Sequence, residues 1–172
     1  MSAVESRIMN SRYSLGLSGM HGWELDGSPQ LDFTEVDPSV CFPLSGVMGS
    51  SFYRGVLEYK AEAVLGVVTN LSDRGILGLS PVGIRYNFTV LGGRLVPYVD
   101  GTLGAVYLNV HRDIQGTRFN FIETVGAGVR YFVTDGLALG AGFRYRHLSN
   151  ADIRKPNHGL DTGFVVVGLS YY

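Results

Sequence analysis

Between Tyr53 and Val67 the chain alternates strictly. One row reads Tyr53, Gly55, Leu57, Tyr59, Ala61, Ala63, Leu65 and Val67, the other Arg54, Val56, Glu58, Lys60, Glu62 and Val64. A period of two over about fifteen residues is a strand signature, and it outruns the usual five or six residues of a globular strand. The alternation returns in Val82, Ile84, Tyr86 and Phe88, in Val99, Leu103, Ala105 and Tyr107, and in Val125, Ala127, Val129 and Tyr131. It returns again in Ala141, Phe143, Tyr145 and His147, and, with both faces apolar, in Val165, Val167, Leu169 and Tyr171. Weaker runs lie near Arg12 to Met20 and Thr34 to Phe42; Pro38 weakens the second, because proline brings no ladder donor. The pattern predicts eight strands near 12–22, 32–43, 52–68, 76–88, 96–109, 119–133, 137–148 and 161–172, in one domain spanning 1–172 behind an N-terminal segment, 1–11.

Long strands with one apolar and one charged face suit an all-β, eight-stranded antiparallel transmembrane β-barrel of the bacterial outer membrane, apolar row to lipid and charged row to the lumen. The inward row would then carry Arg54, Glu58, Lys60, Glu62, Arg85, Asp100, Arg130, Arg144 and Arg146, paired within a lumen too narrow for a pore. A soluble lipocalin-like barrel has the same period with the faces exchanged. Strand length, the aromatic residues near strand ends and the presence of only two lysines favour the membrane. Tight turn signals at Leu91 to Arg94 and Thr134 to Gly136 alternate with longer polar stretches at Asn70 to Gly75, Asn109 to Arg118 and Leu148 to Leu160. With both termini periplasmic, the last of these is an external loop. The terminal aromatic Tyr172 resembles the signal read by outer-membrane assembly machinery. No run approaches the roughly 18 apolar residues of a membrane-spanning helix. The start, MSAVESRIMNSR, is polar where a signal peptide is apolar, which reads as a mature form behind an initiator Met.

Composition narrows the chemistry. At 45% hydrophobic and 17% charged residues the chain is no disordered segment, and a net charge of −1 gives no nucleic-acid footprint. The single Cys41 reads as a small hydrophobe, without partner for a disulfide or a cysteine zinc site. The four histidines, at 21, 111, 147 and 158, lack metal-ligand spacing, so no metal and no cofactor are expected. His21 and His111 read as solvated loop or strand-end residues. Phosphate-loop, dinucleotide and zinc-hydrolase motifs are absent.

One segment stands out, FRYRHLSNADIRKPNHGLD, from Phe143 to Asp161. His147 and Ser149 are two apart, so both side chains leave the strand on one face, the face of Phe143 and Tyr145. Ionisable groups on a lipid-facing row point to function. Asp161 opens the returning strand on the same outward parity. Serine as nucleophile, histidine as base and aspartate as orienting acid compose a hydrolytic triad, with Asn150 and loop N–H groups available to an oxyanion. The residues alone favour an interfacial polar cluster without chemistry, since H-x-S is a common tripeptide.

His147-Leu148-Ser149-Asn150-Ala151, followed by Lys155-Pro156-Asn157-His158-Gly159-Leu160-Asp161, resembles the signature of the PagL-type lipid A 3-O-deacylases. Those are eight-stranded outer-membrane barrels carrying H-x-S-N-A, then P-N-x-G and an acid fourteen residues after the histidine. The resemblance implies removal of the ester-linked 3-hydroxyacyl chain at the 3-position of lipid A. It makes His147 the base, Ser149 the nucleophile and Asp161 the acid, on the lipid-facing surface at the outer leaflet. Asn150 matches an oxyanion-hole asparagine and Asn157 a motif asparagine. The implied partner is lipid A within lipopolysaccharide, with Arg154 and Lys155 near its phosphates; monomer and homodimer both stay open. Two positions depart from the signature: Asp161 where a Glu is familiar, and Asp152 where a Gly often follows. An outer-membrane phospholipase and a non-catalytic adhesive or protective small barrel are the alternative readings.

Overall fold

A computed structural model describes residues 1–27, 30–70, 74–110 and 116–172. After a helix α1 (Ala3–Asn10), eight strands follow in order: β1 (Ser14–Glu24), β2 (Asp32–Pro43), β3 (Gly55–Val68), β4 (Gly75–Phe88), β5 (Leu95–Leu108), β6 (Phe119–Phe132), β7 (Leu137–Ser149) and β8 (Leu160–Tyr171). Each pairs antiparallel with its neighbour, and β8 pairs with β1, so the sheet closes into a barrel without an edge. The strands lie within a few residues of their expected positions. The stretch at 52–54 differs: Ser51–Tyr53 form a 3-10 turn and β3 begins at Gly55. Pro38 is accommodated in β2 opposite Leu17, where the ladder to β3 skips from Val36 to Ser39.

The two faces decide between membrane and soluble barrel. Outward residues are apolar and open, with Phe143 70%, Val167 62% and Leu77 62% exposed, while Lys60, Glu62 and Arg146 are buried inside. A lipocalin-type barrel requires the reverse. Among the described residues no helix is long and apolar enough to cross a membrane; the crossing elements are strands.

The lumen is filled in three layers. Midway, Lys60, Arg85, Arg130, Arg144 and Arg146 meet Glu35, Asp37, Glu58, Glu62 and Asp100. Asp100 lies 3.0 Å from Lys60 Nζ and 2.7 Å from Arg85 Nη2. Glu62 bridges Lys60 at 2.7 Å and Arg144 at 3.1 Å, and Arg146 reaches Glu35 at 2.5 Å and Asp37 at 3.3 Å. Matched charges are the condition under which ions tolerate burial, and Asp100 and Glu62 each meet more than one cation, while among the described residues Glu35 Oε1 and Asp37 Oδ1 have no hydrogen-bond partner. Toward the loop end an apolar layer including Phe33, Val64, Ile122, Leu148 and Phe164 closes the lumen.

The opposite end holds α1. Ser2 Oγ accepts the Glu5 amide at 3.2 Å while Glu5 Oε2 accepts the Ser2 amide at 2.6 Å, a reciprocal capping box. Val4 and Ile8, four apart on one helix face, pack with Val56, Val96, Phe132 and Ala138. Arg54, expected on the inward row of β3, instead precedes that strand and binds the buried Glu5 carboxylate, at 2.6 Å through Nε. The connection 44–54 is correspondingly long for this end: Val47 packs against the cluster that seats α1. His21, expected in a loop or at a strand end, stands within β1 on the outward face, its Nδ1 3.0 Å from Thr34 Oγ1. Burial of Cys41 agrees with its reading as a hydrophobe; His111 lies outside the described residues.

Candidate active site

The alternation in β7 puts Phe143, Tyr145, His147 and Ser149 on the outward face, and that in β8 does the same for Asp161, Gly163 and Val165. The hairpin register sets His147 directly opposite Asp161. Side chains opposed across an antiparallel pair have Cβ atoms about 5 Å apart, short enough for an aspartate to span. His147 Nδ1 lies 2.6 Å from Asp161 Oδ1. Both side chains are about one-third exposed, the histidine 34% and the aspartate 32%.

The same oxygen carries a second donor. Tyr145 hydroxyl donates to Asp161 Oδ1, also at 2.6 Å. Tyr145 stands opposite Gly163, two residues from the His147–Asp161 pair, and its phenol reaches the diagonal position. Ser149, opposite Phe121 on β6, completes the outward row. Among the described residues no hydrogen bond joins Ser149 to the imidazole; their strand spacing is about 7 Å, and contacts between nucleophile and base commonly tighten only around bound substrate.

The loop 150–159 closes over the imidazole. Asn150 is fully buried beneath it, its N–H bonded to Asn157 Oδ1 at 2.8 Å and its amide nitrogen to Arg154 O at 2.8 Å, while its Oδ1 has no partner. Asn157 Nδ2 reaches Asp152 Oδ1 at 3.3 Å, and Lys155 lies 2.9 Å from the same oxygen. Lys155, chiefly, and Asn157 hold the exposed Asp152 carboxyl below the usual carboxylate range, so its charge is engaged within the loop. Ala151 and Asp152 take positive φ of 50° and 61° to turn the chain back. Gly159, φ +80°, lies against the ring: a Cβ there would sit 2.7 Å from His147 Cε1. The loop also leans on its neighbour, with the Gly116 N–H bonded to Pro156 O at 2.6 Å.

Tyr145 and Glu123 are the neighbours that sequence reasoning had not assigned. Glu123, on the outward face of β6, opposes His147 from the side away from Asp161. Extending the outward row of Val125 back by two residues would have reached it. No cluster able to hold a metal ion occurs among the described residues.

The family model for lipid A 3-O-deacylase (PagL) matches residues 50–170 of this sequence. Among curated proteins none matches. A solved structure of the outer membrane enzyme PagL is 18% identical, with a TM-score of 0.63, over 89% of this chain and 97% of that one. Neisserial surface protein A gives a TM-score of 0.65 at 16% identity, over 94% and 97%. The N-terminal β-barrel domain of Pseudomonas aeruginosa OprF gives 0.52 at 18%, over 92% and 97%. At these identities the likeness is one of fold.

Proposed function

Since the chain belongs to the lipid A 3-O-deacylase (PagL) family and is an outer-membrane β-barrel, we propose that Ser149, His147 and Asp161 hydrolyse the ester at the 3-position of lipid A from the lipid-facing side of the barrel, at the outer leaflet. The observation that carries this reading is the His147–Asp161 hydrogen bond at 2.6 Å on a largely apolar exterior. A buried ion pair would serve the lumen; an acid–imidazole hydrogen bond turned outward at the loop end, beside a serine on the same row, serves a substrate arriving from the membrane.

Asp161 fixes the imidazole with Nδ1 protonated, leaving Nε2 to take the proton of Ser149 Oγ as the hydroxyl attacks the ester carbonyl. The tetrahedral oxyanion needs donors already in place. Loop N–H groups beside Ser149 are nearest. Asn150 supports them through its bonds to Asn157, Arg154 and Pro156, and its own amide becomes an oxyanion donor by turning an N–H away from the Arg154 or Pro156 carbonyl. Collapse returns the proton from Nε2 to the leaving sugar oxygen. Water then repeats the sequence on the acyl-serine, releasing the 3-hydroxy fatty acid. Phe119 and Phe121, in edge-to-face contact at 5.7 Å, form an apolar wall beside Ser149 against which acyl chains can lie.

Purified protein in detergent, given lipid A and phosphatidylethanolamine in parallel, should release 3-hydroxy fatty acid from the first and little from the second. Release from the phospholipid alone would make the protein a phospholipase. Release from neither would support a non-catalytic barrel.

A further inference from the structure

We infer that Tyr145 is a positioning residue of the hydrolytic site, its hydroxyl clamping Asp161 in the orientation that holds His147; the inference rests on the triad reading above. Asp161 Oδ1 receives two donors at 2.6 Å, His147 Nδ1 from directly across the hairpin and Tyr145 Oη from the diagonal. An aspartate has two side-chain torsions, and a single bond to the imidazole leaves rotation about the carboxyl axis open. A second donor on the same oxygen, fixed on the neighbouring strand two residues below the histidine, restricts that rotation. Tyr145 opposes Gly163, where a Cβ would meet Leu25 Cδ2 at 3.4 Å and not the phenol, so the clamp follows from the register of β7 on β8.

The bond has a second consequence. The site faces lipid, where water is scarce and a carboxylate has few other donors. A phenol sharing the carboxylate charge leaves less of it to stabilise an imidazolium on His147. Among the described residues the other charges facing this group are Glu123, opposite His147 on β6, and Asp26, which with Glu123 acts on the Tyr145 hydroxyl. Both stay in place when only the hydroxyl is removed.

Tyr145→Phe keeps the ring and its lipid contact, so the barrel should fold, shown by heat-modifiable gel mobility. Its kcat on lipid A should fall about tenfold to a hundredfold, the order of loss that small misplacements of catalytic groups produce, with KM unchanged. In an Asp161→Asn background the same change should cost less than about threefold, because the residues act as a unit. The His147 imidazole, followed by NMR in micelles, should titrate at higher pH in Tyr145→Phe than in the parent. Unchanged kcat together with an unchanged His147 midpoint overturns the inference, as do losses that simply multiply in the double variant. A parent protein inactive on lipid A would instead overturn the functional reading, and the titration would still decide whether Tyr145 acts on the Asp161–His147 pair.

Discussion

At Gly159 a methyl group would land 2.7 Å from His147 Cε1, on a backbone with φ +80° that L side chains rarely adopt. Gly159→Ala should therefore push the ring away from Ser149. We expect kcat on lipid A to fall at least about tenfold, with gel mobility still that of a folded barrel. Asp161→Asn keeps the shape of the acid but supplies an N–H where Nδ1 needs an acceptor; a loss on the order of 10³–10⁴ in kcat is expected, measured by 3-hydroxy fatty acid release. Asp161→Glu tests reach. Because the register sets Asp161 directly opposite His147, the shorter acid already spans the gap, and the longer one should lower activity. The motif made His147, Ser149, Asp161 and Gly159 legible in the sequence, since their spacing survives as linear text. Tyr145 was legible only as a member of an apolar row. Its bond to Asp161 depends on register across β7 and β8, which no single strand reveals.

Among the elements, α1 is the one the strand pattern missed, although Ser2-Ala3-Val4-Glu5 carries the S-x-x-E signature of a capped helix. Period-two reading passes over an eight-residue helix, and its seat is assembled from β3, β5, β6 and β7. Its anchor has a pH signature. Arg54, foremost, with the Ser2 amide and Thr89, holds Glu5 down to about 2, against an ordinary 4.5. A carboxyl lowered on folding adds stability that is complete above its unfolded value and disappears as pH falls toward the folded one. Docking of α1 should thus weaken between about pH 4.5 and 2, followed by proteolytic clipping of the N-terminal segment. Glu5→Gln should remove this dependence and cost about 1–2 kcal/mol, since hydrogen bonds to a charged group contribute in that range while Arg54 is partly solvated. Charges on β3, β4, β5, β6 and β7 were readable from alternation; Glu35 and Asp37 were not, because Pro38 obscured the period of β2.

For the molecule as a whole, the distribution of charge and apolar surface fixes the role of each compartment. Five cations and five carboxylates fill the middle of the lumen, with apolar layers above and α1 below. A cavity of about 20 Å³ lined by Arg85, Tyr98 and Arg130 has room for about one water. Planar-bilayer recordings should accordingly show no steady conductance. Asp100→Ala should destabilise the barrel by about 3–5 kcal/mol in denaturant titration, because it strands Arg85 without its carboxylate and, among the described residues, leaves Lys60 with Glu62 alone. Under the proposed function the chemistry belongs to the exterior, where the His147–Asp161 pair stands on the outward face. The intact mass of lipid A before and after exposure to the purified protein tests this most directly. The wild-type barrel should remove one 3-hydroxyacyl chain per molecule, and Ser149→Ala, equally folded, should leave the mass unchanged. An equal mass loss with Ser149→Ala would contradict the account.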